Sequence, residues 1–321
     1  MLVTGAGGFI GKALCHHLQG RGYSVRGVLR EFPKTDHLGS LSTDYVSIGS
    51  LDERTDFTPL LQGVDVVIHL AARVHVMSEA ATDPMLEYRR VNVELTMALA
   101  KQAAANGVKR FVFLSSIKAN GEKTQLGRPF SADDIPTPED PYGLSKLEAE
   151  RLLFALSRET AMQVVVIRPP LVYGPGVKAN FEALMRLLRN PVPLPFAGLS
   201  NRRSLVSIDN LTDFIGVCAV HPAAAGEVFL VSDGCDLSMV ELLRMMARNL
   251  GGRPIQFSLP DWLLRRCAAI VGREAYARRL MESLQVDIEK NVRLLGWSPN
   301  RNVEGFIEAT ALAFLKLENR R

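Results

Sequence analysis

The chain begins with Met1-Leu2-Val3-Thr4-Gly5-Ala6-Gly7-Gly8-Phe9-Ile10-Gly11, and this stretch decides its fold. A short apolar strand leads into glycines at positions 5, 8 and 11, and a helical pattern follows to about Gly20. Glycines at this spacing allow a tight turn and a close approach of the backbone to a pyrophosphate, while the start of the helix offers N–H groups to phosphate oxygens. The stretch therefore predicts a strand, loop and helix that bind a dinucleotide.

The first half of the chain continues this alternation of short apolar runs with helical patterns. The run Gln163–Arg168 has four consecutive apolar residues at its centre, and longer helical patterns cover Met85–Asn106 and Tyr142–Arg158. Continuous apolar strands between helices are typical of a parallel sheet that is covered on both faces. We therefore predict an α/β fold with a Rossmann-type, doubly wound parallel sheet over residues 1–168.

The rhythm of the sequence changes after residue 168. Pro169-Pro170 and Gly174-Pro175-Gly176 indicate irregular backbone, and short helical patterns follow with one strand at Glu227–Val231. The sequence predicts a smaller mixed lobe over residues 169–321, with segments that return to the first domain.

Composition excludes several classes of protein. The 321 residues are 47% hydrophobic, which excludes general disorder, and the net charge of +4 is too small for a nucleic-acid-binding surface. The four cysteines show no C-x-x-C spacing, which is typical of a reducing compartment. Neither a signal peptide nor an apolar run of about 18 residues is present, so we expect a cytoplasmic protein without an integral membrane segment.

The end of the second predicted strand bears on the choice of cofactor. In dinucleotide-binding folds an acidic residue there binds the ribose hydroxyls of NAD, whereas an arginine accommodates the extra phosphate of NADP. Arg30 favours NADP, but Glu31 follows it directly. Both NAD and NADP therefore remain open.

The residues that carry the chemistry follow a buried strand and begin a later helix. Ser116 ends the strand segment, Asp140 and Pro141 suit the start of a helix, and Tyr142 and Lys146 lie four residues apart on one helical face. A lysine beside a tyrosine, with a cationic nicotinamide nearby, stabilises the phenolate and lowers the tyrosine pKa. Such a phenolate can take a proton from a carbinol while hydride leaves, and Ser116 can hold the same oxygen.

These motifs together resemble the extended short-chain dehydrogenase/reductase family, and within it the nucleotide-sugar epimerases and dehydratases. The resemblance covers nearly the whole chain and implies that Ser116, Tyr142 and Lys146 are the catalytic residues. The expected cofactor contacts are Gly5, Gly8, Phe9, Ile10, Gly11, Arg30, Leu70, Ala71, Ala72, Asn92 and Pro169.

The same resemblance assigns substrate contacts to the second lobe. It implies that Asn180 contacts the substrate and that Arg203 binds a nucleotide diphosphate, with Arg279 or its neighbour Arg278 as a second phosphate ligand. Planar guanidinium groups fit phosphate oxygens well. It also implies a homodimer formed through the predicted helices Met85–Asn106 and Tyr142–Arg158.

Two features set this chain apart within the family. Ser50 stands where an aspartate near the adenine is usual. The string Ser-Ser-Ile-Lys-Ala-Asn-Gly-Glu at 115–122 resembles a bacterial surface-polysaccharide branch, which includes UDP-sugar C4 epimerases and UDP-4-keto-6-deoxy-N-acetylhexosamine reductases. Lys118 lies in this string; it is either a substrate contact or, as we rather expect, an exposed loop lysine.

The resemblance leads to one principal prediction and two alternatives. We expect an NAD(P)-dependent epimerase that acts at C4 of a UDP-sugar, either a UDP-hexose or a UDP-N-acetylhexosamine, through a 4-keto intermediate. The alternatives are an NADPH-dependent reductase of a UDP-4-keto-6-deoxy-N-acetylhexosamine and a cofactor-sensing regulatory protein on the same fold. A dehydratase is disfavoured because Ile117-Lys118 stands where those enzymes carry an acidic pair. No metal site is expected, because no histidine or cysteine has a partner at metal-ligand spacing.

Overall fold

The computed structural model describes residues 1–32, 43–49, 51–74, 83–190, 197–252, 257–259, 263, 266 and 281–319. Within these ranges the strands are β1 (Leu2–Thr4), β2 (Arg26–Leu29), β3 (Asp44–Ser47), β4 (Val66–His69), β5 (Arg110–Leu114), β6 (Gln163–Arg168), β7 (Leu171–Tyr173), β8 (Arg203–Ser207), β9 (Val228–Leu230) and β10 (Asp236–Leu237). They form two sheets, and the larger has the order β3-β2-β1-β4-β5-β6-β9.

All strand pairs in the larger sheet are parallel, so the carboxyl ends of its strands meet at one edge. The strand order reverses between β1 and β4, where Thr4 pairs with His69. Ligands of open α/β sheets bind in the crevice at such a reversal, beyond the carboxyl ends of the strands. The predicted fold class is therefore confirmed, and the crevice lies beside the glycine loop.

The described helices are α1 (Phe9–Gly20), α2 (Thr58–Leu61), α3 (Pro84–Arg89), α4 (Leu95–Ala105), α5 (Pro141–Glu159), α6 (Ala179–Leu188), α7 (Ile208–Val220), α8 (Met239–Asn249), α9 (Glu289–Leu295) and α10 (Val303–Glu318). The helix predicted at Met85–Asn106 is continuous, but one wide π-helical turn at Arg90–Glu94 separates α3 from α4. No helix in the described ranges has both the length and the apolar character needed to cross a bilayer.

Helices bury both faces of the larger sheet. Along β5 the side chains alternate, with Val112 facing a core that includes α1 and α7, and Phe111 and Phe113 facing a core that includes α4 and α5. A strand covered on both sides is apolar on both faces, which is why β5 is a continuous apolar run after Arg110. This packing fixes the end of β5, where Ser115 and Ser116 follow.

Residues after 168 build a second core and also return to the first. The smaller sheet has the order β10-β8-β7, and α6, α8 and α10 pack around it. The strand predicted at Glu227–Val231 is β9, and it pairs with β6 in the larger sheet rather than lying in the smaller lobe. The buried Asp233 follows β9 of the larger sheet by three residues, and it accepts hydrogen bonds in the smaller sheet from the Tyr173 hydroxyl at 2.7 Å and from the Ser207 backbone N–H at 2.8 Å.

Candidate active site

The glycine loop between β1 and α1 leaves no room for side chains. Gly5 adopts a φ of +68°, and a Cβ on Gly11 would lie 2.1 Å from the Gly5 carbonyl oxygen. Gly8 caps α1 without a side chain, so the first turn of the helix has no side-chain partner for its N–H groups. Phe9 and Ile10 are half-buried at the start of this helix. The cradle therefore has the shape and the polar groups that a dinucleotide pyrophosphate requires.

Arg30 lies next to this cradle. A Cβ on Gly7 would lie 3.1 Å from Leu29 at the end of β2, and Arg30 follows that leucine with an exposed side chain. Its carbonyl oxygen accepts a hydrogen bond from the Gly49 N–H at 2.9 Å. The side chain thus lies where the sequence predicted it, at the end of β2 beside the loop. Ser50, which was compared with an adenine-binding aspartate, lies outside the described residues.

The segment after β4 is held against the loop by one hydroxyl. Thr4 Oγ1 accepts hydrogen bonds from the backbone N–H groups of Leu70 and Ala71, each at 3.2 Å. A Cβ on Gly5 would lie 3.0 Å from the Ala71 nitrogen, so the two segments touch along their backbones. The half-buried Leu70, Ala71 and Ala72 thereby line the crevice beside the glycine loop. Sequence reasoning did not single out Thr4 for this role.

His69 is a neutral, buried link in this arrangement. Because Thr4 Oγ1 already accepts two N–H groups, its own proton points to His69 Nδ1 at 2.8 Å. Nε2 then carries the proton and donates to Thr96 Oγ1 at 3.0 Å. Burial, and secondarily the charge of Lys146, lowers the pKa of His69 to about 3. His69 is 2% exposed, so it packs in the interior of the protein.

Asn92 lies in the π-helical turn and braces the crevice from below. Its side chain accepts from the Arg73 N–H at 2.8 Å, and donates to the Arg73 carbonyl at 3.1 Å and to Ser145 Oγ at 3.0 Å. Ser145 in turn donates to the Tyr142 carbonyl at 2.8 Å. Asn92 has no exposed surface in this structure, and its expected contact with the cofactor stays a prediction. Its hydrogen bonds hold α5 against the segment after β4.

Ser116 and Tyr142 meet at the carboxyl edge of the larger sheet. Ser116 follows β5 and caps a short 3₁₀ turn at Ile117–Ala119, while Asp140 caps α5 by accepting the Gly143 N–H at 2.7 Å. Burial raises the pKa of the Tyr142 hydroxyl to about 12, and a hydrogen bond from Ser116 partly opposes that rise. The protein groups alone therefore keep Tyr142 protonated near neutral pH, and the lowered pKa expected with a cationic nicotinamide nearby stays a prediction.

Lys146 lies one turn further along α5 and is buried. Its Nζ donates to the Leu114 carbonyl oxygen at 2.8 Å and lies 4.3 Å from the centre of the Phe113 ring. Burial lowers the pKa of Lys146 to about 7, and the nearby Glu150 carboxylate partly opposes this. Lys146 is thus anchored to the end of β5 by a backbone bond, directly below Ser115 and Ser116.

A buried polar network lies beneath these residues. Arg168, at the end of β6, donates to both carboxylate oxygens of Glu150, and Glu150 also accepts a bond from Ser115 Oγ. The Arg168 Nη1 donates to Asn120 Oδ1 at 2.9 Å. Sequence reasoning missed this network, although two signals were present. Glu150 follows Lys146 by four residues on the same helical face, and Arg168 ends an otherwise apolar strand.

Lys118 is not the exposed loop lysine that the sequence suggested. Its side chain is only 20% exposed, and its Nζ binds Glu122 Oε1 at 2.7 Å and the Asp140 carboxylate. The loop that follows Ser116 is therefore tied directly to Asp140, the N-cap of α5.

The remaining predicted contacts lie in different parts of the structure, and some of them lie outside the described residues. Pro169 is buried next to the site and its carbonyl oxygen accepts the Ile117 N–H at 3.0 Å. Arg203 begins β8 in the smaller sheet, where its Nη1 donates to the Glu282 carbonyl at 2.9 Å. Asn180 is the second residue of α6, and its side chain is not among those described. Arg278 and Arg279 lie outside the described residues. Among the described side chains, no group of three His, Cys, Asp or Glu residues could hold a metal ion.

Comparisons with known proteins agree on one family. The profile of the NAD dependent epimerase/dehydratase family matches residues 1–232. A UDP-glucose 4-epimerase of Vibrio cholerae is 45% identical over 322 residues, covering 100% of this chain and 97% of that protein. A GDP-6-deoxy-D-mannose reductase of Pseudomonas aeruginosa is 30% identical, covering 77% of this chain and 79% of that protein.

Among solved structures, UDP-glucuronic acid 4-epimerase from Bacillus cereus in complex with NAD superposes with a TM-score of 0.78. It is 25% identical, and the match covers 98% of each chain. The likeness therefore extends over both the larger sheet and the smaller lobe.

Proposed function

This chain belongs to the NAD-dependent epimerase/dehydratase family, and on that basis we propose that it interconverts UDP-sugars that differ in configuration at C4. The observation that carries the proposal is the meeting of Tyr142 and Ser116 at the carboxyl edge of the sheet, across the crevice from the glycine loop. The full-length similarity to a UDP-glucose 4-epimerase supports the C4 position and the uridine nucleotide. A reductase has weaker support, because the reductase relative matches at lower identity and over less of the chain.

The residues around the crevice fit a dinucleotide. Gly5, Gly8 and Gly11 leave the backbone open to a pyrophosphate, and the uncapped start of α1 offers N–H donors to it. We assign NAD to this cradle, with Phe9, Ile10, Leu70, Ala71, Ala72 and Pro169 as further contacts. When bound, NAD supplies reversible hydride acceptance at C4, and its oxidised ring supplies a positive charge that lowers the pKa of a nearby phenol.

In this proposal Tyr142 moves the proton. Its phenolate oxygen accepts the proton of the sugar 4-hydroxyl, which allows C4 to become a carbonyl carbon, and it returns the proton when the alcohol re-forms with the other configuration. Ser116 donates a hydrogen bond to the Tyr142 oxygen and holds the substrate oxygen beside it. Lys146, fixed to the Leu114 carbonyl, orients the cofactor ribose, and its protonated form supplies positive charge beneath the site.

The substrate contacts are proposals of the same kind. We propose that residues 1–168 form the dinucleotide-binding domain and that residues 169–321 form mainly the substrate lobe. Arg203 is partly exposed at the start of β8, as a ligand of the UDP diphosphate must be. Asn180 and Arg279 complete the proposed substrate contacts.

We also propose that the protein is a homodimer. A groove of about 580 Å³ runs between the π-helical turn with α4 on one side and α5 on the other. Its walls include Met97, Ala98, Leu152 and Leu156, and Leu152 is 39% exposed. Two copies that pair these helices would cover this apolar surface. The cysteines described, Cys15, Cys218 and Cys235, are all free thiols, which supports a cytoplasmic location.

The decisive experiment combines the bound dinucleotide with turnover. Freshly purified protein is denatured and the released dinucleotide is identified by mass spectrometry. The native protein is then incubated with UDP-glucose, and in parallel with UDP-N-acetylglucosamine and UDP-glucuronic acid, and the C4 epimers are separated by chromatography. We expect tightly held NAD and conversion of at least one substrate without added cofactor.

Tyr142→Phe is the matched variant, because it removes only the hydroxyl. We expect it to keep the bound dinucleotide and to lose at least about 100-fold in turnover, since proton transfer by a positioned side chain contributes that much. A protein that binds NADPH reversibly and reduces a 4-keto sugar would replace the epimerase by the reductase. Turnover that survives in Tyr142→Phe would refute the assignment of this residue.

A further inference from the structure

An ion cluster joins the two segments that carry Ser116 and Tyr142. Lys118 lies two residues after Ser116, and Asp140 lies two residues before Tyr142. The Lys118 Nζ binds the Asp140 carboxylate and also Glu122 Oε1 at 2.7 Å. All three side chains are only 20 to 22% exposed, which makes this pair less screened than a surface ion pair.

Backbone contacts at the same place leave little freedom between the two segments. A Cβ on Gly143 would lie 2.5 Å from the Lys118 carbonyl oxygen, so the first turn of α5 packs directly on the loop. The Lys118 N–H donates to Ser116 Oγ at 3.3 Å, and the Ser116 hydroxyl donates to the Tyr142 oxygen. Lys118 therefore contacts Ser116 through its backbone N–H, and through its ammonium it contacts Asp140, the N-cap of the helix that carries Tyr142.

The cluster also determines the charge close to the Tyr142 hydroxyl. Asp140 raises the pKa of Tyr142, because a neighbouring negative charge disfavours the phenolate. The ammonium of Lys118 lies on that same carboxylate and offsets its charge. The other groups that act on Tyr142 are Ser116 after β5 and Tyr88 from α3, whose ring has Arg73 5.8 Å from its centre. Lys146 lies one turn further along α5, where its ammonium binds the Leu114 carbonyl.

We propose that Lys118 is a positioning residue for the reaction: it ties the Ser116 loop to the start of the Tyr142 helix and neutralises Asp140 beside the phenol. The proposal rests on the proposed function, since it concerns how Tyr142 accepts a proton. In this proposal Lys118, the lysine of residues 115–122, holds other residues of the site in place and does not contact the substrate. Two carboxylates already occupy its ammonium, which leaves it poorly placed to bind a diphosphate or a sugar hydroxyl.

The test uses two variants for which the charge argument predicts opposite shifts. Lys118→Met exposes Tyr142 to the charge of Asp140, so the acid limb of the kcat profile should move upward by about one pH unit. Asp140→Asn keeps an acceptor for the Gly143 N–H but removes the charge, so the limb should move downward. Lys118→Arg retains the positive charge and should restore most of the wild-type profile, whereas the double variant Lys118→Met/Asp140→Asn should lie between the single variants.

Lys109→Met is the matched control, because Lys109 pairs with Asp65 at 2.7 Å on the exposed, opposite edge of the sheet. Its profile should coincide with that of the wild type. If Lys118→Met and Asp140→Asn shift the acid limb in the same direction, or if Lys118→Met leaves it in place, the proposal is wrong. A loss of turnover without a shift would assign Lys118 a purely structural role and also overturn the proposal.

A readout that needs no turnover separates this proposal from the proposed function. The phenolate absorbance of Tyr142 is obtained by subtracting the titration of the Tyr142→Phe protein from that of each variant, using the protein as purified. The opposite shifts of Lys118→Met and Asp140→Asn should appear there too. If they appear while no UDP-sugar is turned over, the proposed function fails and the charge role of Lys118 stands. If both shifts are absent while UDP-sugars are turned over, the proposed function stands and the charge role of Lys118 fails.

Discussion

The buried pair Glu150–Arg168 gives a prediction about stability that the structure makes quantitative. Glu150 is 2% exposed and Arg168 is 3% exposed, and Arg168 Nε lies 3.0 and 3.2 Å from the two carboxylate oxygens. Glu150→Gln keeps the shape of the side chain but removes its charge. The substitution also places the amide N–H₂, a donor, against other donors, because both Arg168 and Ser115 donate to the Glu150 carboxylate.

The expected cost is large because one partner keeps its charge. Removing one member of a buried ion pair costs about 3–5 kcal/mol, since the remaining charge stays out of water without compensation. By contrast, the double variant Glu150→Leu/Arg168→Leu replaces the whole pair with apolar groups of similar size. Such replacements are often neutral or stabilising, so the double variant should unfold at a higher urea concentration than Glu150→Gln.

Urea unfolding followed by far-UV circular dichroism measures both quantities. With a slope of about 3 kcal/mol per M, Glu150→Gln should lower the unfolding midpoint by at least about 1 M. The single variant Arg168→Leu, which leaves Glu150 as the unpaired charge, should show a similar loss. The reasoning is refuted if Glu150→Gln costs less than about 1 kcal/mol, or if the double variant loses as much as the two single variants summed.

Three further predictions concern the cradle, the buried lysine and the groove. Gly11→Ala should reduce the amount of bound NAD, measured by mass spectrometry, at least tenfold, because the added Cβ would lie 2.1 Å from a backbone oxygen. Gly20→Ala is the control and should retain NAD, because its Cβ would meet nothing within 4 Å. Equal retention by the two variants would contradict the assignment of NAD to the glycine loop. Lys146→Met should stabilise the protein by at most about 5 kcal/mol below pH 7. The Lys146 pKa falls from 10.5 to about 7 on folding, so between these values the unfolded chain holds more protons and wild-type stability rises with pH. The gain should therefore vanish near pH 10.5 in unfolding experiments across pH, and a pH-independent difference argues against a desolvated ammonium. Leu152→Glu should convert the proposed dimer into a monomer, as measured by light scattering. The control Leu187→Glu, at a 38% exposed leucine of α6, should leave the dimer intact. A monomeric wild-type protein would show that the proposed dimer is wrong.

The sequence predicted most of the larger sheet because its signals are local. The run Gln163–Arg168 has the same bounds in the structure, since a strand buried on both faces is apolar along its length. The π-helical turn at Arg90–Glu94 was not foreseeable, because a single turn of five residues is too short to show its own period in the sequence. The strands β7 and β10 were also missed, because two or three residues are too few to show a period.

The candidate site was predictable in its residue types and less so in their roles. The spacing of Tyr142 and Lys146 followed from the helix alone. The motif marks the position of Asn92 without telling which way its side chain points, and only the fold shows that it turns inward. The contact of Lys118 with Asp140 joins residues 22 apart in sequence, so only the tertiary structure brings it to light.

The wide turn at Arg90–Glu94 has a consequence for how related chains align. In a regular α-helix each residue advances the azimuth by about 100°, so deleting one residue from this turn would rotate everything after it by that angle relative to α3. The brace formed by Asn92 and the groove-facing Met97 lie within and after the turn, respectively. A homologue that lacks the extra residue therefore cannot keep both Asn92 and Met97 in their present directions relative to α3. A one-residue gap in this turn should then coincide with a changed residue at position 92 or a changed surface along α4.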